Sequence, residues 1–134
     1  MRRLTPHLLS LSALLMLPGI AQAEVKYTTS TIAGSTTVGT VVNIGAAWQV
    51  VAIRTDAGLN GTALTFSCSD NASGTFLPMK ATTGGAAVSY TVTTSSQYQV
   101  GLTDFRGCLF VKPTSGTSET DATTITFVLF KPAP

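Results

Sequence analysis

The chain has 134 residues, of which 44% are hydrophobic and only 10% are charged, and its formal net charge is +2. Arg2 and Arg3 account for this charge, because the rest of the chain carries six basic and six acidic residues. Nucleic-acid binding therefore lacks its electrostatic support. A neutral surface permits association between copies, so the chain itself is one predicted partner.

The N-terminus has the pattern of a secretory signal peptide. A basic start is followed by an apolar run over residues 8–20 and an A-x-A site at residues 21–23, which predicts cleavage after Ala23. A transmembrane anchor needs about 20 apolar residues, and this run is shorter. We expect a periplasmic or extracellular protein with no membrane span after signal removal. The predicted organisation is a signal peptide over 1–23, an extended arm over 24–40 and one domain over 41–134.

The remaining chain is rich in Thr, Ser, Gly and Val, which favours strands over helices. The polar, Thr-rich stretch 24–40 predicts an extended arm or a loose first strand. Alternating apolar and polar residues, separated by turn residues such as Asp, Asn and Gly, then predict a series of short strands. These strands are predicted at residues 41–44, 50–54, 62–68, 75–79, 88–93, 98–102, 108–112 and 124–130.

Short strands at regular spacing predict an all-β fold, an antiparallel β-sandwich of jelly-roll or Ig-like type. The alternation also predicts which side chains face the core, with Trp48 packed against them. The predicted core residues are Leu64, Phe66, Tyr90, Val92, Phe110, Ile125, Phe127 and Leu129.

Two cysteines, Cys68 and Cys108, are present. An oxidising compartment usually converts such a pair into a disulfide. Both residues are expected to point inward, Cys68 with Leu64 and Phe66, and Cys108 with Phe110. The alternative is that both are buried free thiols that act as small apolar residues.

The sequence offers little catalytic chemistry. The single histidine, His7, lies in the predicted signal peptide, so histidine-based triads and zinc sites are excluded from the mature chain. A carboxylate pair of the glycosidase type, Asp70 and Asp104, is the remaining enzymatic option. Asp70, Asn71 and Ser73 offer oxygens for calcium, but a plain turn explains them better. No enzymatic activity, cofactor or metal site is predicted.

Three aromatic residues are candidates for ligand contact. Trp48 with Tyr90 or Tyr98 could stack on a sugar ring if these side chains were exposed. The alternative is that they pack in the core, which is where most large aromatic side chains lie. A glycan is therefore a second candidate partner.

A series of motifs between Trp48 and Phe130 resembles a family of small structural proteins of tailed bacteriophages and their prophages. Each motif is weak by itself, and the resemblance depends on their order and spacing. The matching segments are Ala47-Trp48, Ala63-Leu64-Thr65-Phe66, Ser69-Asp70 to Gly74-Thr75-Phe76, Tyr90-Thr91-Val92 with Tyr98, Phe105-Arg106-Gly107, Phe110-Val111-Lys112, Ser115-Gly116-Thr117 and Thr124-Ile125-Thr126.

This resemblance covers about two-thirds of the chain. It implies a β-sandwich virion component that acts through assembly and has no catalytic residues. The chain departs from the pattern at Pro113 and Thr114, in carrying Cys68 and Cys108, and in its predicted signal peptide.

Overall fold

The computed structural model describes residues 22–81, 85–101 and 103–133. The predicted signal peptide therefore lies outside the described residues, apart from Gln22 and Ala23. Within the described ranges, no helix has the length and apolar character that a membrane crossing requires.

Strands form the whole of the regular structure in the described part of the chain. Alternating β-branched and aromatic residues favour this extended backbone. The strands are β1 (Glu24–Ile32), β2 (Val42–Asn43), β3 (Gln49–Thr55), β4 (Ala63–Ser69), β5 (Leu77–Pro78), β6 (Ser89–Thr91), β7 (Gln97–Gln99), β8 (Phe110–Ser115) and β9 (Thr123–Lys131).

The strands form two antiparallel sheets that pack face to face. One sheet has the order β1-β9-β3-β7, and the other has the order β2-β8-β4-β5, with β6 also paired to β4. Successive strands alternate between the sheets, apart from the neighbours β4, β5 and β6, and the first strand pairs with the last. This is jelly-roll topology. The predicted β-sandwich is confirmed, and of its two expected types the strand order selects the jelly roll.

The predicted N-terminal arm contains a long strand of the sandwich. β1 pairs with β9 without interruption, from Glu24 opposite Lys131 to Ile32 opposite Thr123. Ser30 and Ile32 are fully buried, so this segment closes one side of the core instead of preceding the domain.

The core lies between the two sheets. Leu64, Ile125, Phe127 and Leu129 have no exposed surface, and Phe66 and Val92 are buried as well, as predicted. Edge-to-face contacts link Phe66 to Tyr90, Phe105 and Phe127, with ring centroids 5.0–6.0 Å apart. Such geometry adds to the stabilisation that burial alone gives.

The predicted inward orientation of Phe110 is wrong. Phe110 begins β8 and lies opposite Ser69, on the outer face, where it is partly exposed, while its neighbour Val111 is fully buried. Cys108 is buried as expected, but it precedes the strand. Side chains alternate between the two faces only along a continuous strand. The bend between Cys108 and Phe110 interrupts this alternation.

Candidate functional site

The predicted disulfide is formed. Cys68 lies near the end of β4, Cys108 lies in the turn before β8, and their Cα atoms are 5.5 Å apart. In the sheet, Cys68 is paired with Val111, so the bond ties the turn to a strand pair that hydrogen bonds already hold. It thereby fixes the residue 103–108 turn, whose Phe105 is buried in the core.

A pocket of about 270 Å³ lies beside this turn. Trp48 forms one wall, and the turn that carries Arg106 and Gly107 forms the other. Gly45 adopts a φ of 80°, a left-handed conformation that glycine accepts without steric cost, and it lies among the residues that line the pocket. The volume is slightly below the usual range for small-molecule sites, about 300–1,000 Å³.

Basic side chains surround Trp48. The ammonium group of Lys26 lies 5.7 Å from a ring centroid of Trp48, and that of Lys131 lies 6.0 Å away. Lys131 also forms an exposed ion pair with Glu24, at 3.7 Å. Since cations favour the faces of aromatic rings, the indole is partly covered by two lysines of its own chain, and Arg106 lines the pocket itself.

The Tyr90 side chain is partly buried and bound to a neighbouring loop. Its hydroxyl donates a hydrogen bond to a carboxylate oxygen of Asp104, and the backbone N–H of Gly101 donates to the same oxygen. Burial, and next the hydrogen bond to Asp104, raise the pKa of Tyr90 well above its usual value. These contacts attach β6 to the turn that follows β7.

Tyr98 serves a different loop. Its hydroxyl oxygen accepts a hydrogen bond from the backbone N–H of Thr93 at 2.6 Å and lies 2.9 Å from the Thr93 hydroxyl. These contacts lower the pKa of Tyr98, chiefly through the hydrogen bond with the Thr93 side chain. The three candidate aromatics thus contact different neighbours, and only Trp48 lines the pocket.

The carboxylate candidates also have separate surroundings. The backbone N–H of Ser73 donates to the Asn71 side chain at 3.0 Å, and that of Gly74 donates to the Asn71 carbonyl at 3.1 Å. This is an Asx turn, and Asp70 is exposed beside it. Asp104 binds Tyr90 instead. Among the described residues, no group of three potential metal ligands occurs.

Two loop carboxylates have structural contacts that sequence reasoning missed. Glu119 is only 1% exposed and accepts the backbone N–H groups of Asn60 at 2.5 Å and Gly61 at 3.3 Å. Asp56 accepts the backbone N–H groups of Gly58 at 3.0 Å and Thr124 at 2.6 Å. Both carboxylates hold loops. The contact of Asp56 with Gly58 is local, but the other three contacts join residues 58 to 68 positions apart, so no local motif predicts them.

Besides the Trp48 pocket, the edge of β1 is a surface that the sequence did not predict. In the outer face of the first sheet, Val25 is 57% exposed and Tyr27 is 56% exposed. The Arg54 guanidinium lies 5.1 Å from the centroid of the Tyr27 ring. The sequence of this stretch predicts a polar arm or loose strand, and only the sheet order shows that Val25 and Tyr27 lie at an edge.

No family model matches the chain, and no curated protein matches it in sequence. Among solved structures, the chain is similar to the crystal structure of the SPBc2 prophage-derived protein YomS, with a TM-score of 0.52 and 16% identity. The match covers 81% of this chain and 96% of the YomS chain. At this identity the likeness shows a similar fold.

Proposed function

We propose that the chain is a non-catalytic structural protein of phage or prophage origin that acts through assembly of its β-sandwich. The observation that carries the proposal is the fold shared with a prophage-derived protein over most of both chains. The ordered series of motifs from Trp48 to Phe130 supports it independently, because that series resembles small structural proteins of tailed phages.

The use of polar side chains gives further support. Asp56, Asp104 and Glu119 all accept hydrogen bonds from groups of their own chain. Groups engaged in this way hold turns and loops, which supports a structural role for them. The β1 edge and the Trp48 pocket are two candidate surfaces for contact with a partner.

Native mass spectrometry together with a glycan array tests the proposal. We expect defined oligomers or complexes with other structural proteins, and no selective glycan binding. Detection of the chain in purified phage particles would support the same conclusion. Tight binding of one glycan by a monomer would overturn it.

The second candidate is a carbohydrate- or surface-binding module. The Trp48 pocket favours it, because an aromatic wall is flanked by Lys26, Lys131 and Arg106, and these cations fit an acidic sugar. Binding of an acidic glycan that is lost in Trp48→Ala, but kept in Tyr98→Ala, would establish this alternative. Equal binding by both variants would reject the pocket as its site.

Export is part of the proposal. We expect that the chain accumulates in the periplasm or medium and begins at Glu24, because the A-x-A site precedes this residue. Intact mass and N-terminal peptide sequencing of the secreted protein measure this directly. A chain that keeps Met1 and stays in the cytoplasm would contradict it.

A further inference from the structure

The edge of β1 presents backbone groups that no described strand pairs with. The backbone N–H of Thr40 donates to the Thr31 carbonyl, and the N–H of Thr31 donates to the Thr40 hydroxyl. The main-chain groups of Thr31 therefore point away from β9. Because these groups alternate along an antiparallel strand, those of Val25, Tyr27 and Thr29 point the same way. From residue 24 to residue 29, no described strand occupies that side.

This edge differs from the others in the described part of the sandwich. β1 has nine residues, whereas the strands at the other sheet edges have two or three. β5 also contains Pro78, which cannot donate a backbone hydrogen bond. Short strands and prolines are the usual means of preventing edge-to-edge pairing. β1 is long, regular and carries two exposed large apolar side chains.

We infer that β1 is an assembly edge, and that its partner is the β1 strand of a second copy of this chain in antiparallel pairing. A two-fold axis at Tyr27 pairs Tyr27 with its equivalent and Val25 with Thr29 of the other copy. These are the residues whose main-chain groups are open, so each pair can exchange both backbone hydrogen bonds. The two four-stranded sheets then become one continuous sheet.

Charge and side-chain placement favour a second copy as the occupant. With the axis at Tyr27, Lys26 lies opposite Thr28 and Glu24 lies opposite Ser30, so no like charges face each other directly. An axis at Lys26 would place two lysines opposite each other. Beyond Arg2 and Arg3 the chain has no net charge, so the copies do not repel each other as a whole.

The paired edge also covers the exposed apolar surface. Val25 and Tyr27 lie on the same face of the sheet, and Tyr27 would meet the aromatic ring of its equivalent. Aromatic cross-strand pairs stabilise antiparallel sheets. This inference rests on the proposed function, because it specifies one surface through which an assembling protein would associate.

A matched pair of variants at Thr29 tests the inference. Thr29→Pro removes a backbone N–H that points away from β9, whereas Thr29→Ala keeps it. By sedimentation equilibrium, we expect a dimer for the wild type and Thr29→Ala, and a dissociation constant at least about tenfold weaker for Thr29→Pro. Circular dichroism verifies that each variant is folded.

A second variant keeps the test decisive if Thr29→Pro fails to fold. Tyr27→Lys leaves every backbone group in place but brings two ammonium groups together at the two-fold axis. We expect it to fold as a monomer at low salt and to recover part of its association at high salt, where charge repulsion is screened.

Hydrogen exchange followed by NMR separates the β1 amides that point away from β9 from those that face it. Amides of Val25, Tyr27 and Thr29 should become protected as protein concentration rises, while those of Lys26 and Thr28, which face β9, should be protected at every concentration. Concentration-independent exchange at the first three positions would overturn the inference.

The outcomes separate this inference from the proposed function. An oligomer that binds no glycan, and whose association is unchanged by Thr29→Pro and Tyr27→Lys, would overturn the β1 pairing. It would leave the structural role intact. A monomer that joins phage particles by pairing β1 with another protein would do the same. A monomer that binds one glycan tightly would overturn both.

Discussion

Glu119 illustrates how one buried side chain organises a loop. It is 1% exposed and accepts two backbone N–H groups, from Asn60 and Gly61. Gly61 is constrained in turn, because a Cβ built there would lie 2.0 Å from the Ser115 hydroxyl oxygen. The loop 56–61 therefore depends on a carboxylate and a glycine whose roles appear only in the folded chain.

We predict that Glu119→Gln lowers the free energy of unfolding by roughly 1–3 kcal/mol, because the new amide would direct N–H donors toward backbone donors in a buried site. Urea denaturation measures this loss. Asp121→Asn is the matched control, since Asp121 is exposed, and it should change stability by less than about 0.5 kcal/mol. Equal effects of the two variants would contradict this role for Glu119.

Tyr90 makes the free energy of unfolding depend on pH in the alkaline range. Burial and the hydrogen bond to Asp104 raise its pKa in the folded state above the ordinary 10.0. Its contribution to stability is therefore complete below pH 10 and is lost as the pH rises toward the folded-state pKa. We predict that unfolding free energy falls more steeply above pH 10 in the wild type than in Tyr90→Phe. An equal decrease of the unfolding free energy with pH in the wild type and in Tyr90→Phe would contradict this.

At the scale of the strand, the face on which a side chain lies decides how strongly its substitution lowers stability. Phe66 and Phe127 face the core, while Thr65 and Thr126 face outward and are partly exposed. Each Phe→Ala substitution should cost roughly 3–5 kcal/mol, and each Thr→Ala substitution less than about 1 kcal/mol. Denaturant melts of the four variants compare the two faces. Larger losses for the threonine variants would show that the strand faces are reversed.

The disulfide acts on two elements, because it joins β4 to the turn before β8 across 40 residues of sequence. In the chain-entropy account, a loop of this length contributes about 3–4 kcal/mol. We predict a loss of this size for the double variant Cys68→Ser and Cys108→Ser, measured by chemical denaturation without reductant. Alkylation of both thiols in the unfolded, unreduced wild type would show that the bond does not form.

At the scale of the whole molecule, closure of the sandwich depends on its last strand. β9 lies between β1 and β3 and contributes Ile125, Phe127 and Leu129 to the core. We predict that truncation before Thr123 prevents folding, while truncation after Lys131 leaves the melting temperature nearly unchanged. Circular dichroism melts measure both. A cooperative melt for the shorter chain would contradict the prediction.

The sequence by itself determined the fold class, the main core strands and the cysteine pair. Alternation over residues 62–68 and 124–130 specified which side chains are buried, because successive residues on a strand face opposite sides. The same rule gave the wrong face for Phe110, since the bend after Cys108 breaks the alternation.

Tertiary structure alone decided the sheet order, and with it the position of β1 at a sheet edge. The chain segment 24–40 is polar, and nothing local shows that β1 pairs with a strand about 100 residues away. The contacts of Glu119 with Asn60, 59 residues apart, and of Tyr90 with Asp104, 14 residues apart, also join separate elements. Hydrogen bonding between distant segments depends on which strands become neighbours, and local pattern does not encode that choice.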